Sequence, residues 1–84
     1  IDDVLRLYNA SQLRRDHLAE AVQQNRIALE TAQRQYVEGA VDFLNVLTVQ
    51  GALLASEEQL IDSSAAVAQA LVGLYKALGG GWQA

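Results

Sequence analysis

The sequence predicts an all-α fold, an antiparallel αα-hairpin of coiled-coil type, on three observations. Its 84 residues include no proline. Its glycines fall only at 39, 51, 73 and 79–81, too few and too clustered for the turns of a many-stranded sheet. The stretches on either side of Gly39 carry apolar residues at intervals of three and four, the period of a helix with one buried face.

The first helix is expected over about residues 3–38, with Asp2 or Asp3 capping its free N–H groups and Gly39 taking the left-handed conformation that ends it. The tip occupies 39–41. A second helix restarts at about 42, with Asp42 as its N-cap, and runs to about 78. The glycine-rich end, 79–84, then stops it. A helix of about 36 residues is about 54 Å long. A connection as short as Gly39-Ala40-Val41 leaves such arms only an antiparallel arrangement.

Composition says how much core this hairpin can build. The chain is 51% hydrophobic, but fourteen of its residues are alanine, which buries little surface. A chain this short hides only about 60% of its unfolded surface and usually needs a staple or a partner. With no cysteine, neither a disulfide nor a thiolate metal site can act as that staple. The apolar face is therefore expected to be completed by another chain or by the rest of a longer one. The start at Ile1, without methionine, fits a fragment of a longer protein better than a complete product.

A net charge of −4 argues against a nucleic-acid or anionic-membrane surface. No stretch approaches the roughly 18 apolar residues of a membrane helix.

Heptad spacing identifies the buried faces. In the first arm Leu18, Val22, Asn25, Leu29, Ala32 and Tyr36 recur at alternating intervals of four and three, one coiled-coil seam interrupted by Asn25. The second arm carries two seams. Val46, Leu53, Leu60, Val67 and Leu74 repeat every seven residues, and Leu47, Leu54, Ile61, Ala68 and Tyr75 repeat beside them. A two-helix hairpin gives each helix one partner, so the second seam stays wet unless further helices cover it. Asn25 and Gln50 are both placed on seams, where polar residues fix register at some cost in stability.

Little in the chain carries reaction chemistry. His17 is the single histidine, with Asp16 and Glu20 as its nearest acids. Bundle metal sites use Glu-x-x-His pairs from several helices. Here the order is reversed, so a solvated histidine is the better reading and no metal site or cofactor is expected. Glu57, Glu58 and Asp62 read as a hydrated acidic face. No phosphate-binding glycine loop opens a helix, and no enzymatic activity is expected.

The bend is more informative. Val37, Ala40, Val41 and Phe43 make its tip unusually apolar, and exposed apolar residues at a loop tip mark a contact surface.

The segment Ala32-Gln-Arg-Gln-Tyr36-Val-Glu-Gly39-Ala-Val-Asp42-Phe-Leu44-Asn-Val-Leu47-Thr-Val-Gln50 resembles the helix-tip motif of the outer membrane efflux proteins of the TolC and OprM type. Leu74-Tyr-Lys-Ala-Leu-Gly-Gly-Gly-Trp82 is similar to the end of the last periplasmic helix in the lipoprotein branch that works with RND pumps, also called NodT-type. With the alanine-rich heptads between them, the resemblance covers nearly the whole chain.

The resemblance implies a fragment of the second repeat of a longer protein that trimerises in the cell outer membrane, with this segment in the wall of a periplasmic α-barrel. It implies further copies of the chain as partners, docking of the tip at Glu38, Gly39, Ala40 and Val41 to a periplasmic adaptor protein, and, through it, an inner-membrane RND transporter. Tyr36 matches a tip tyrosine that helps hold the resting entrance closed, and Leu44 a position of apolar constriction. Leu47, Leu54 and Ile61, with Leu53, Leu60, Val67 and Leu74, become inter-helix seam positions. Val41 stands where TolC itself has an arginine, and Asn45 and Thr48 where TolC-like entrances carry aspartates. The charged latch and acidic ring of those relatives are therefore not implied here. The competing expectation is a stand-alone coiled-coil module that assembles as a four-helix bundle and has no transport role.

Overall fold

The computed structural model describes residues 2–79, which form two helices, α1 (Asp2–Val37) and α2 (Phe43–Gly79), folded back on each other as a hairpin. The rod is 68 Å long and about 14 Å across.

Local chemistry fixes both sides of the bend. At the end of α1 the Glu38 N–H still donates to the Arg34 carbonyl at 3.0 Å, the last regular helical bond. The Ala40 N–H then donates to the Gln35 carbonyl at 2.8 Å and the Gly39 N–H to Tyr36 at 3.0 Å. This crossed pair is a Schellman ending, and it requires a left-handed residue between the two donors. Gly39 supplies it at φ 79°. On the other side, Asp42 caps α2: its Oδ1 accepts from the Asn45 N–H at 3.0 Å.

The opening of α1 differs from expectation. Asp2 and Asp3 both lie inside the first turn, where their charges favour the positive end of the helix dipole, so neither is the residue before the helix. At the far end Gly79 is still helical. Gly80, Gly81 and Trp82, the rest of the expected stop and of the second motif, lie outside the described residues.

The two helices meet along one seam each. On α1 the seam runs through the less exposed Val4, Tyr8, Ser11, Leu18, Val22, Asn25, Leu29 and Ala32. On α2 it runs through Val46, Val49, Leu53, Ser56, Leu60, Ser63, Val67, Ala70 and Leu74. Both series step by three and four, as knobs-into-holes packing requires, except where α1 passes over the exposed Arg15 between Ser11 and Leu18. Val22, Ala32, Val46 and Leu53 form the buried apolar core, joined by Ser56 and Ser63. Among the described residues no large side chain is fully buried, as the alanine-rich composition leads one to expect.

Asn25 lies opposite Ser56 and marks the antiparallel register that the short bend imposes. Carried along the seam, it puts Leu18 level with Ser63, and Ala32 level with Val49. Large residues thus face small ones, which lets the helices approach closely. Gln50 is not on this seam. It is exposed, because Val49 also satisfies the spacing between Val46 and Leu53 and takes the inner position as the apolar side chain.

Candidate functional site

Two surfaces of the hairpin have no satisfied partner of their own: the tip, and a stripe along the outer side of α2.

The tip is built by the crossed hydrogen bonds of Gly39 and Ala40 and by the Asp42 cap, so its backbone is rigidly defined. Across the bend the Tyr36 and Phe43 rings meet at 5.4 Å between centroids, tilted by 56°. That is the range of a favourable aromatic pair. The ring pair clamps the last turn of α1 to the first turn of α2. Beyond it, Val37 is 84% exposed and Leu44 is 68% exposed. Glu38, Gly39 and Ala40 are exposed and Val41 is half-buried. Tyr36, although paired with Phe43, also keeps nearly half its surface in water. The tip therefore presents an apolar rim around a short polar backbone.

The outer stripe of α2 is longer. Leu44, Leu47, Gly51, Leu54, Glu58, Ile61, Ala65, Ala68, Val72 and Tyr75 follow one another at steps of three and four, and every one is exposed. Neighbours in sequence have opposite fates: Leu53 is 8% exposed and Leu54 56%. The two heptad patterns of α2 are thus two faces of one helix. The first, with Leu53, Leu60, Val67 and Leu74, packs on α1. The second, with Leu47, Leu54 and Ile61, faces solvent. A stripe of this length and composition is a helix-packing surface without its helix.

Gly51 on this stripe adds a further sign. A glycine inside a helix costs about 1 kcal/mol relative to alanine. A Cβ built at Gly51 meets no atom within 4 Å, so nothing inside the hairpin calls for the small residue.

The remaining polar groups pair across the helices or face solvent. Arg26 pairs with Glu57 at 3.5 Å across the helices, at the solvent edge of the Asn25–Ser56 contact. Glu58, Asp62 and His17 are exposed. Among the described residues no group of three or more His, Cys, Asp or Glu side chains is placed to hold a metal ion, and no helix is long and apolar enough to cross a membrane. The Tyr36–Phe43 clamp is a feature that sequence reading did not single out. Its signal was the pair of aromatics seven residues apart around a cap glycine.

Comparison with known proteins gives consistent matches. The family model described as outer membrane efflux protein matches residues 1–80. A pyoverdine export outer membrane protein, OpmQ, of Pseudomonas putida is 42% identical over 98% of this chain, covering 18% of its own length. The cation efflux system protein CusC of Escherichia coli is 42% identical over 68% of the chain and 12% of its own length. The solvent efflux pump outer membrane protein SrpC of Pseudomonas putida is 36% identical over 76% of the chain and 14% of its own length. The chain therefore spans less than a fifth of the length of these relatives. No solved structure matches it.

Proposed function

The chain belongs to the outer membrane efflux protein family, and from that premise we propose that the hairpin is a wall segment of the periplasmic tunnel of a trimeric outer-membrane efflux channel. The observation that carries this reading is the exposed heptad stripe of α2. A free-standing hairpin has no use for a second seam. A stave in a closed wall needs one on each side, so that α1 closes one face of α2 and a neighbouring helix closes the other.

On this reading the bend lies at the periplasmic entrance. The apolar rim of Val37, Ala40 and Val41, with Glu38 and Gly39, is the surface offered to a periplasmic adaptor. Tyr36 helps to close the resting entrance, and Leu44 narrows it. Transport through such a tunnel is passive, and the energy comes from an inner-membrane RND transporter coupled through the adaptor. The relatives are named for pyoverdine, cations and solvents in turn, so similarity points to a conduit and leaves the cargo open.

The test is Gly39→Arg in the full-length channel. A Cβ at this position meets nothing within 4 Å, so the added bulk points toward whatever docks there. Gly39→Asn, which tolerates the left-handed conformation, controls for backbone strain. The expected result is lost drug efflux with Arg, retained efflux with Asn, and trimers recovered from both. Unchanged efflux with Arg would remove the tip from the docking surface.

A further inference from the structure

We propose that the 84-residue chain, on its own, covers the outer stripe of α2 with the same stripe of a second copy, antiparallel, giving a two-fold dimer of hairpins joined through α2. This concerns the chain separated from any longer protein and does not depend on the channel reading.

Surface area makes a partner worthwhile. The chain exposes 6309 Å². That is about 1,400 Å² more than a compact monomer of this mass leaves exposed. A stable interface removes about 800 Å² from each partner, which is well within that excess.

The residues of the stripe select the second copy and its direction. Its one charged member, Glu58, sits near the middle. In a parallel pairing Glu58 meets Glu58 at the seam, and Gly51 meets Gly51, leaving a charge clash beside a hole. In an antiparallel pairing centred between Glu58 and Ile61, each Glu58 lies against the partner's Ile61. Its carboxylate can then reach solvent over an apolar neighbour. The same register sets Gly51 level with the partner's Ala68, Leu54 level with the partner's Ala65, and Leu47 level with the partner's Val72. Small residues meet at one level and a large one fills against a small one at the next, which is how a packed seam avoids voids. It also gives Gly51 the close approach that the hairpin alone does not require. The contact is isologous, so it closes at two copies and does not propagate. The arrangement gathers Glu57, Glu58 and Asp62 of both copies near the two-fold axis. Their repulsion weakens the dimer and is screened by salt.

Sedimentation equilibrium of the 84-residue chain tests this, with circular dichroism to follow the helices. A dimer at micromolar concentration is expected, tighter at high salt. Leu54→Glu with Ile61→Glu should give a monomer of unchanged helix content, since both side chains lie outside the hairpin core. Glu58→Leu should tighten the dimer by about tenfold or more. In a mixture of Leu47→Cys and Val72→Cys chains, the mixed disulfide should form in preference to either symmetric one. A wild-type monomer at hundreds of micromolar, a trimer or open-ended assembly, or a dominant Leu47→Cys homodisulfide each overturns the proposal.

Discussion

Asn25 donates from Nδ2 to the Ser56 hydroxyl at 3.0 Å, in the middle of the seam between the helices. Ser56 in turn donates to the Leu53 carbonyl at 2.9 Å, and Asn25 also reaches the Ala52 carbonyl at 3.4 Å. The bend already forbids a slip along the axis. The choice left open is rotational: α2 has two apolar stripes, and the outer one, with Leu47, Leu54 and Ile61, is apolar apart from Glu58. Asn25 selects between them. Turned to the outer stripe, α2 offers it leucine at 54 and a carboxylate at 58; on the inner stripe it offers a serine hydroxyl.

Asn25→Ala should therefore destabilise the hairpin by about 1 kcal/mol, the usual net value of such a hydrogen bond. Asn25→Leu should keep or raise the melting temperature while loosening the choice of face. The check is thiol reactivity. In a Leu54→Cys background, at dilution where the hairpin is monomeric, the cysteine should react freely when residue 25 is Asn and become partly protected when it is Leu. Equal reactivity in both would show that Asn25 does not choose the stripe.

The two stripes should also differ in what they contribute to the fold of a dilute, monomeric hairpin. Leu53→Ala removes buried methyl groups and should cost about 2–3 kcal/mol, the lower part of the range for buried leucines, since this thin core can collapse around the gap. Leu54→Ala, one residue away, should change stability by about 0.5 kcal/mol or less, as surface substitutions do. Urea denaturation of the two variants at low concentration separates them. Similar losses would mean that the outer stripe is already covered under those conditions.

The fold class was legible because each signal had one physical interpretation. A lone glycine between two heptad runs ends a helix, and Asp42 three residues later starts one. What stayed ambiguous were positions where spacing alone has two solutions. Val49 and Gln50 both fit between Val46 and Leu53, and only side-chain chemistry decides that Val49 turns inward. The inner seam of α1 reaches back to Val4 through Tyr8 and Ser11, but the small polar Ser11 and the exposed Arg15 interrupt the apolar repeat that reveals such a seam in sequence. At the tip, the apolar character was readable from Val37, Val41 and Phe43. The meeting of Tyr36 and Phe43 was not, since it depends on how sharply the chain turns at Gly39.

That turn depends on glycine for conformation and not for space. Gly39 sits at φ 79°, and a Cβ added there would have no atom within 4 Å. Gly39→Ala should thus cost about 1–2 kcal/mol, the backbone penalty of the left-handed region alone. Gly39→Asn should cost visibly less. Asp42→Ala should cost about 1 kcal/mol for the lost cap on the other side of the bend. Thermal denaturation ranks the three. A Gly39→Ala chain as stable as the original would mean that the bend can close with another backbone geometry.

The last prediction separates the two halves of Tyr36. Its ring packs against Phe43 and stabilises the bend; on the proposed channel reading, its hydroxyl acts on the entrance. Tyr36→Phe keeps the ring pair and removes only the hydroxyl, so the hairpin should melt at nearly the same temperature. Tyr36→Ala removes both and should destabilise the bend, with about 0.5–1.5 kcal/mol of the loss coming from the aromatic pair beyond its buried area. In the full-length channel, single-channel recording should then show higher resting conductance for Tyr36→Phe than for the original protein. If resting conductance rises only with Tyr36→Ala, the tyrosine acts by holding the bend together, and its hydroxyl has no part in closing the entrance.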